Sequence, residues 1–338
     1  MNIDANTHKY RVLIFGCGNI AGNFDHGYKD NIKLPLTHAG AYSQHIGFSI
    51  TGCVEPDSNK RSKFVSDWSI PKQAASIKEL DSKPTDYDVI SICSPTQYHI
   101  ENIEEAITLS PKIIFCEKPL GIEKNTNEFI KKILNSGINL VVNYSRRWDP
   151  DLAQIILDLE HGKWGRIRSV VGFYNKGIVN NGSHLIDLLL NIFQDLDLIA
   201  VTCAVIDYHE TDPTVAALLK VPNSNISVYL CPANARDYAY FELEIICELG
   251  VIRMENGGLN WRYYKVYDNK TFTGYRTPSL YCKKSGRYIE SMSRAVDQLY
   301  EHLEFGKKIE TNLESSIKSE LLCYQIKSQA NNLLNDEA

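Results

Sequence analysis

A run of apolar residues, Tyr10–Phe15, is followed at once by a glycine-rich turn, and this pairing constrains the fold more than any other feature of the chain. Gly16, Gly18 and Ala21 have the G-x-G-x-x-A spacing of a dinucleotide-binding turn. In such a turn the first glycine permits a tight bend, the second lets a pyrophosphate approach the backbone, and the small third residue keeps the helix close to the strand. We therefore predict a dinucleotide phosphate site at Gly16, Gly18, Asn19, Ile20 and Ala21.

Short apolar segments alternate with segments of helical periodicity through the first 145 residues. In Gln97–Leu109, for example, Ile100, Ile103 and Ile107 recur at helical spacing. Strand and helix in alternation predict an α/β Rossmann domain with a doubly wound parallel sheet. The predicted strands are Tyr10–Phe15, Phe48–Val54, Tyr87–Cys93, Lys112–Cys116 and Asn139–Asn143, and the predicted helices are Thr37–His45, Asn59–Trp68, Gln97–Leu109 and Lys124–Asn135.

The pattern changes after Asp149-Pro150. Longer strand-like segments follow, separated by turns and interrupted by one strong helix, Ser183–Phe193, before a terminal helical stretch, Leu313–Asn331. Consecutive strands with short turns predict a large, mostly antiparallel open sheet in an α+β domain. A length of 338 residues agrees with two domains, which we place at 1–148 and 149–338. Since few helices cover this sheet, we expect a homodimer or homotetramer formed through its other face.

The composition narrows the classes of protein. A net charge of -5 gives no electrostatic footprint for nucleic acid. No apolar run reaches the roughly 18 residues of a membrane span, and Met1–Tyr10 lacks the apolar core of a signal peptide, so we expect a cytoplasmic protein. The nine cysteines occur singly, which argues against a disulfide framework and against a metal site.

The second predicted strand ends at Glu55, where a dinucleotide-binding domain places an acid on the adenosine ribose. A carboxylate there disfavours a 2′-phosphate, so we expect NAD rather than NADP. The alternative is a solvated acid at a strand end, with Asp57 capping the next helix. The interval from Ala21 to Glu55 is 34 residues, longer than the usual ~20. We assign the excess to Asn23–Pro35, a polar loop that interrupts the first helix.

Four stretches in this order resemble the glucose–fructose oxidoreductase / inositol dehydrogenase / rhizopine-catabolism family. They are the Gly16–Gly22 loop, Cys93–Thr96 with His99, Glu117-Lys118-Pro119, and Asn180–Asp187. The segment Val142–Trp148 also resembles the family's link between domains. The resemblance spans both predicted domains, and Glu117-Lys118-Pro119 is its most specific part, although a lone lysine before proline would ordinarily lie on the surface.

The resemblance implies a role for each matching residue. Lys118 would hydrogen-bond the reacting hydroxyl or carbonyl and His184 would be the general acid/base. Glu117 would lie near the nicotinamide ribose, and the peptide bond between Lys118 and Pro119 would be cis. These roles agree with the chemistry, because hydride transfer from an alcohol requires loss of the hydroxyl proton and a histidine suits that at neutral pH. The residues lining the dinucleotide would be Ser94, Pro95, Thr96, His99, Glu117 and Lys118.

The chain departs from the family four residues before His184, where many members carry aspartate and this chain has Asn180. An amide cannot accept a proton, so the common Asp–His–Lys arrangement is in doubt and Asn180 would position a substrate hydroxyl instead. Asp187 lies one helical turn after His184 and would either orient it or face solvent. Without the resemblance, Asn180–Ser183 would be an ordinary helix cap and His184 would have no role.

We expect a polyhydroxylated ring as substrate, a sugar carried on a nucleotide, reacting at a ring secondary alcohol or ketone. Amide, phenol and ammonium groups near His184 suit several hydroxyls. Basic residues such as Arg146 would pair with a substrate phosphate, and Trp148 would stack on a sugar or base. The alternatives are that the basic residues form ordinary surface salt bridges and that Trp148 lies in the core. A nonenzymatic dinucleotide-binding regulator and an NAD-dependent glycosidase are the competing functions. The predicted substrate contacts are Lys118, Asn143, Arg146, Trp148, Tyr174, Asn180, Asn181 and His184.

Overall fold

The computed structural model describes residues 9–25, 34–122, 126–309 and 313–336. The chain divides into two compact units, Met1–Trp148 with Ile289–Ile317, and Asp149–Tyr288 with Lys318–Ala338. The division after Trp148 agrees with the predicted domain boundary. The prediction placed Ile289–Ile317 in the second domain, whereas the structure places it in the first unit. This segment belongs to the first unit because its apolar residues, among them Val296 and Leu299, are buried in one core with strand residues such as Val12 and Phe115.

The strands are β1 (Tyr10–Phe15), β2 (Phe48–Val54), β3 (Lys72–Ala74), β4 (Val89–Ile92), β5 (Ile113–Glu117), β6 (Asn139–Asn143), β7 (Ile167–Tyr174), β8 (Asp197–His209), β9 (Asp212–Lys220), β10 (Ser227–Pro232), β11 (Phe241–Cys247), β12 (Gly250–Glu255), β13 (Asn260–Asp268) and β14 (Arg276–Ser285). The α-helices are α1 (His38–Gln44), α2 (Ser58–Trp68), α3 (His99–Thr108), α4 (Thr126–Ser136), α5 (Pro150–Glu160), α6 (Gly182–Phe193), α7 (Ser291–Phe305) and α8 (Leu313–Asp336).

The first unit contains a six-stranded sheet in the order β3-β2-β1-β4-β5-β6, and every strand pair is parallel. This confirms the predicted Rossmann-type sheet. Its central strands are mostly apolar because helices cover both faces of a parallel sheet. The short edge strand β3 was not predicted, since Lys72-Gln73-Ala74 carries no apolar run. The order changes direction between β1 and β4, where open α/β sheets bind ligands at the carboxyl ends of their strands.

The first helix after the glycine turn is interrupted, as the sequence predicted. One helical turn follows Gly18, and α1 then begins with backbone hydrogen bonds from His38 to the carbonyl of Ile20 (3.2 Å) and from Ala39 to that of Ala21 (2.9 Å). The buried Asp25 carboxylate closes the base of the insertion by accepting from the backbone N–H groups of Leu36 and Thr37. The first backbone N–H groups of α1 thus bond to the residues just before the insertion, so α1 continues the helical turn that contains Ile20 and Ala21. The predicted loop Asn23–Pro35 lies partly outside the described residues.

The second unit contains an eight-stranded sheet in the order β14-β13-β12-β11-β7-β10-β9-β8. Only the β7–β10 pair is parallel, which confirms the predicted mostly antiparallel sheet. Apolar residues of α5, α6 and α8 pack with the inward-facing strand residues in one core. Along β11, buried and partly exposed residues alternate, so the opposite face of the sheet stays accessible. No helix within the described ranges is long and apolar enough to cross a membrane.

Candidate functional site

The glycine turn after β1 has the shape that a dinucleotide phosphate requires. Gly16 has a φ of 83°, which residues with a side chain rarely adopt. A Cβ there would also lie 2.7 Å from the backbone nitrogen of Ser94, so both the backbone conformation and the available space require glycine. A Cβ on Gly18 would meet nothing within 4 Å, so the backbone there borders open space. A pyrophosphate can thus approach the Gly18 backbone, and the turn fits a dinucleotide.

Glu55 follows β2 and is bound to the same turn. Its Oε2 accepts a hydrogen bond from the backbone N–H of Cys17 (2.9 Å), and its Oε1 accepts from that of Asp57 (3.0 Å). Asp57 caps α2 by accepting from the backbone of Asn59 (2.9 Å) and Lys60 (3.1 Å). The predicted cap at Asp57 is therefore confirmed, and Glu55 is not an ordinary solvated acid: it is half-buried beside the glycine turn.

His99 does not line the dinucleotide as predicted. It is 1% exposed, and its ring nitrogens lie 2.7 Å from the Pro119 carbonyl and 2.8 Å from the Ser94 carbonyl. Burial lowers its pKa, although both carbonyl contacts favour the protonated ring. Both polar atoms are thus engaged with backbone, and His99 holds the segments after β4 and β5 together. Of its neighbours, Pro95 is exposed and Thr96 is half-buried at the start of the turn that precedes α3.

Lys118 and Pro119 follow Glu117 at the carboxyl end of β5, and the peptide bond between them is cis, as the resemblance implies. Lys118 is half-buried. Glu117 lies close to the imidazole of His38 (Oε1 to Nε2, 2.9 Å) and accepts from the Asn143 amide (2.7 Å). Burial opposes its charge, but these hydrogen bonds and the nearby Lys118 outweigh that effect and lower the pKa of the Glu117 carboxyl.

His38 is a site residue that the sequence analysis missed. Its ring is fully buried, 4.8 Å from the Phe115 ring, and reaches Glu117 because α1 resumes directly at Ala21. The long interval before Glu55 was the available signal. Taking out the insertion places His38 in the first helix, against the sheet.

Two predicted substrate contacts in the first unit are engaged internally. The Trp148 indole N–H donates to Asn143 Oδ1 (2.9 Å), while the Asn143 amide nitrogen donates to Glu117. Trp148 is 2% exposed and packs edge-on against Phe115, so the prediction that it stacks on substrate is wrong: its ring belongs to the core. Asn143 is 3% exposed with both ends of its amide occupied, so direct substrate binding is wrong for it too.

Arg146 is buried, together with Arg147, in the turn Ser145–Trp148. The alternative that these basic residues make ordinary surface salt bridges is therefore wrong. Burying a guanidinium group requires compensating polar partners, so these two side chains are structural or binding groups rather than solvated ones.

In the second unit, a π-helical turn, Gly177–Asn181, leads into α6. Gly177 has a φ of 82°, and a Cβ there would lie 2.1 Å from Asp212 Oδ2. The Asp212 carboxylate accepts from the backbone N–H groups of Val179 (3.0 Å) and Asn180 (2.9 Å). Burial raises the pKa of Asp212, and these two bonds only partly offset it. The turn is thus built around a buried acid.

A second acid, Asp207, supports the start of the same turn. It accepts from the backbone of Lys176 (3.0 Å) and from the Thr214 hydroxyl (2.8 Å), which itself accepts from the Gly177 backbone (2.8 Å). Strands β8 and β9 therefore supply the side chains that shape the segment before α6. The sequence analysis named neither Asp207 nor Asp212.

His184 lies in the first turn of α6 and is half-buried. Before it, the amide nitrogens of Asn180 and Asn181 donate to the carbonyls of Lys176 (3.1 Å) and Asn175 (3.0 Å). These two side chains brace the turn, and the N-cap residue Asn181 makes no side-chain bond that caps α6. Asp187 does not face solvent: it is fully buried and accepts from the Ser319 hydroxyl (3.0 Å).

Tyr174 is not a substrate contact, contrary to the prediction. Its side chain is fully buried. Its hydroxyl donates to the Val215 carbonyl (2.9 Å) and accepts from the Val215 backbone N–H (2.8 Å). The phenol thus bonds strand β9 within the core.

The fold and the glycine turn define a Rossmann-fold protein of the nicotinamide-binding class. Residues 10–141 match the family described as "Oxidoreductase family, NAD-binding Rossmann fold". Over these residues the chain matches this oxidoreductase family, and the resemblance predicted from the motifs is confirmed.

Two curated relatives match over short stretches. The uncharacterized oxidoreductase YrbE of Bacillus subtilis is 40% identical over 81 residues, which are 24% of each chain. Inositol 2-dehydrogenase of Rhizobium meliloti is 30% identical over 86 residues, 25% of this chain and 26% of that one. The matched stretches thus span about a quarter of these relatives' length.

Two solved structures share the fold over nearly the whole chain. An oxidoreductase from Agrobacterium radiobacter, in complex with NAD+, L-tartaric acid and magnesium, has a TM-score of 0.74 at 17% identity and covers 96% of this chain and 97% of its own. UDP-N-acetylglucosamine 3-dehydrogenase from Acidithiobacillus ferrooxidans has a TM-score of 0.72 at 13% identity, with 96% and 99% covered. At these identities the likeness establishes the fold alone.

Proposed function

We propose that this chain is a dehydrogenase or ketoreductase that transfers a hydride between a nicotinamide dinucleotide and a ring secondary alcohol or ketone of a carbohydrate. The observation that carries the proposal is the turn after β1, with open space at Gly18 and the Glu55 carboxylate bonded to Cys17 beside it. This arrangement offers backbone to a pyrophosphate and an acid to a ribose diol.

We propose NAD as the preferred cofactor. A carboxylate at Glu55 repels the 2′-phosphate of NADP and accepts hydrogen bonds from the two hydroxyls of NAD. The test is kcat/KM for NAD and NADP, in the wild type and in a variant combining Glu55→Ser with Pro56→Arg. The variant should shift preference toward NADP; equal wild-type values for the two cofactors would refute the preference.

A bound nicotinamide supplies the hydride acceptor or donor. Of this chain's residues, Lys118 would hydrogen-bond the reacting oxygen and stabilise negative charge that develops on it. His184 would take the hydroxyl proton on oxidation and return it on reduction. With Asn180 in place of an aspartate, no carboxylate four residues earlier shares that proton, so His184 would carry the exchange itself. The remaining residues that would contact the cofactor are Ser94, Pro95, Thr96 and Glu117.

A polyhydroxylated ring is the proposed substrate class. The relatives named above include an inositol dehydrogenase and a nucleotide-sugar dehydrogenase. A thermal-shift panel with NAD present, comparing free sugars, cyclitols and nucleotide sugars, separates the options. A ligand at 100 times its Kd should stabilise by about 2.7 kcal/mol. Stabilisation by inositol or free hexose, with none from any nucleotide sugar, would exclude the nucleotide handle.

We also propose self-association through the accessible face of the second-unit sheet. On this face Glu244 pairs with Arg253, whose guanidinium lies 5.3 Å from the Tyr264 ring centre. Mixed charges and aromatic surface suit a two-fold interface in which each patch meets its own copy. Light scattering of wild type and Arg253→Glu tests this: the wild type should be a dimer or tetramer and the variant smaller, whereas a monomeric wild type would end the proposal.

A further inference from the structure

A chain of hydrogen bonds lies beneath the carboxyl edge of the first-unit sheet. It links four residues, Trp148, Asn143, Glu117 and His38, which we call the Glu117 chain. Its members come from the turn after β6, from β6, from β5 and from α1. Trp148, Asn143 and His38 are each at most 3% exposed. Residues from three separate segments thus converge on one carboxylate.

Two donors of this chain meet the same oxygen of the Glu117 carboxylate. Asn143 Nδ2 lies 2.7 Å and His38 Nε2 lies 2.9 Å from Glu117 Oε1. An ionised carboxylate accepts only, so His38 Nε2 carries the hydrogen in this pair. Two donors on one oxygen hold the carboxylate in a fixed rotation and help it to remain charged where water is scarce.

The other oxygen, Oε2, is left for something else. Among the described residues it receives no hydrogen bond, and 13% of the Glu117 side chain is exposed. Glu117 ends β5, in the half of the sheet that binds the second mononucleotide of a dinucleotide, outside the carboxyl ends of the strands. A carboxylate oxygen with unused lone pairs suits a hydroxyl donor, and the group that a dinucleotide brings there is a ribose diol.

Trp148 determines which way the Asn143 amide faces. An indole N–H can only donate, so it selects the amide oxygen of Asn143 and turns the amide nitrogen toward Glu117. With the amide reversed, its oxygen would face the carboxylate and repel it. Trp148 therefore acts on Glu117 through Asn143, without touching a ligand itself.

We propose that Trp148 and Asn143 are positioning residues for the cofactor: they lock the charged Glu117 carboxylate on its Oε1 side and so hold Oε2 ready for the ribose hydroxyls of the nicotinamide half. This rests on the proposed function, since it requires that the chain bind a nicotinamide dinucleotide. On this proposal, Trp148 and Asn143 contribute to the affinity for the cofactor although neither of them touches it.

The test is the calorimetric Kd for NADH in three variants. Trp148→Phe keeps an aromatic ring against Phe115 and removes the indole N–H, and we expect binding about 3–10-fold weaker. Asn143→Leu removes the donor to a charged oxygen, and we expect a loss of about 10–100-fold. Trp261→Phe is the matched control, because the Trp261 indole N–H is buried with no hydrogen-bond partner among the described residues; NADH binding should be unchanged.

A pH series distinguishes positioning from general loosening. The titratable groups that act on Glu117 are His38, Lys118, His99 and Cys93. They remain in Asn143→Leu, so a pH dependence that the wild type lacks reports the Glu117 carboxyl and the His38 ring bonded to it, from which the amide donor has been removed. Without the amide donor its pKa should rise, and NADH affinity should fall between about pH 7 and pH 5 in the variant while the wild type changes less.

Each outcome is decisive. Wild-type binding in both Trp148→Phe and Asn143→Leu would overturn the positioning role and leave the proposed function intact. Weakened binding with the same pH profile as wild type would also overturn it, since the carboxylate would not be the group affected. If Asn143→Leu does not fold, Trp148→Phe alone decides. A wild type that binds no NADH overturns the proposed function, and the inference with it.

Discussion

Glu117 in the first unit is a largely buried acid that directly precedes Lys118, and Asp212 in the second unit is a buried acid bonded to the turn that precedes His184, yet the two are built in opposite ways. Glu117 takes two side-chain donors on one oxygen, and its pKa is lowered in spite of burial. Asp212 takes one backbone donor on each oxygen, and burial raises its pKa. The first acid stays charged with an oxygen to spare, and the second serves as a template for the turn before His184.

The comparison shows how burial alone misleads about function. Side-chain donors such as His38 and Asn143 can be removed by substitution. Because both bond to Oε1 of Glu117, they leave Oε2 able to accept a hydrogen bond from a ligand. Backbone donors use the acid to fix a loop that would otherwise leave N–H groups unpaired. Carboxylates of the first kind suit binding, and those of the second kind suit folding.

The largest expected effect is on kcat, in variants that remove a candidate catalytic side chain and leave Glu117 and Asp212 unchanged. Lys118→Ala or His184→Ala should lower kcat by about 10²–10⁴-fold while the Kd for NADH stays near wild type. Lys112→Ala is the matched control, because Lys112 is exposed and precedes the same strand, β5. If His184→Ala turns over normally, another group donates the proton.

The next effect is on folding, through Asp212. Asp212→Ala leaves the backbone N–H groups of Val179 and Asn180 without their acceptor, so the free energy of unfolding should fall by about 2–4 kcal/mol. Urea denaturation measures it, with Asp197→Ala, an exposed acid on β8, as a control expected within about 0.5 kcal/mol of wild type. A loss no larger than the control's would mean that the turn does not depend on Asp212.

Glu117→Gln should show the reverse pattern. The charge is lost while the shape is kept, so NADH binding should weaken by about 10-fold or more, since hydrogen bonds to charged groups contribute about 1.5–3 kcal/mol. Calorimetry and urea denaturation on the same preparation measure binding and stability together. A variant that loses stability but binds NADH as tightly as wild type would place Glu117 with Asp212, as a structural acid.

The smallest effect is in the pH dependence of stability, and its sign differs between the two acids. Glu117 has a lowered pKa, so its contribution is present above its ordinary value of 4.5 and is lost as pH falls below it. Asp212 has a raised pKa, so stability declines as pH rises from its ordinary value of 3.8 through the folded pKa. Urea titrations across this range should lose the low-pH decline in Glu117→Gln and the decline with rising pH in Asp212→Asn. Shifts of the same sign in both variants would remove the distinction.

The sequence carried much of the first unit because its signals are local. A few neighbouring residues are enough to recognise each of its main features: the strand before Gly16, the acid at Glu55 and the segment Glu117-Lys118-Pro119. His38 could not be found that way, since its position depends on α1 resuming at Ala21 beyond an insertion. The return of Ile289–Ile317 to the first unit is likewise a long-range packing event that periodicity does not encode.

The residues around His184 were predicted less well for a related reason. A polar side chain near a candidate base predicts substrate contact, and this prediction is wrong for Tyr174, whose hydroxyl bonds Val215 in the core. The same reasoning failed for Trp148 and Asn143 in the first unit. Amino-acid type indicates that a side chain needs a polar partner, but only the fold determines whether that partner is a ligand, a backbone group or another side chain.

The most direct test of the account is turnover by the purified protein with NAD and a panel of cyclitols, free sugars and nucleotide sugars, followed by nicotinamide absorbance and product analysis. The account predicts reduction of NAD in step with oxidation of one ring secondary alcohol by the wild type and by Lys112→Ala, with the signal almost abolished in Lys118→Ala. Bond cleavage without net change in the nicotinamide, or NADH binding with no reaction on any member of the panel, would contradict it.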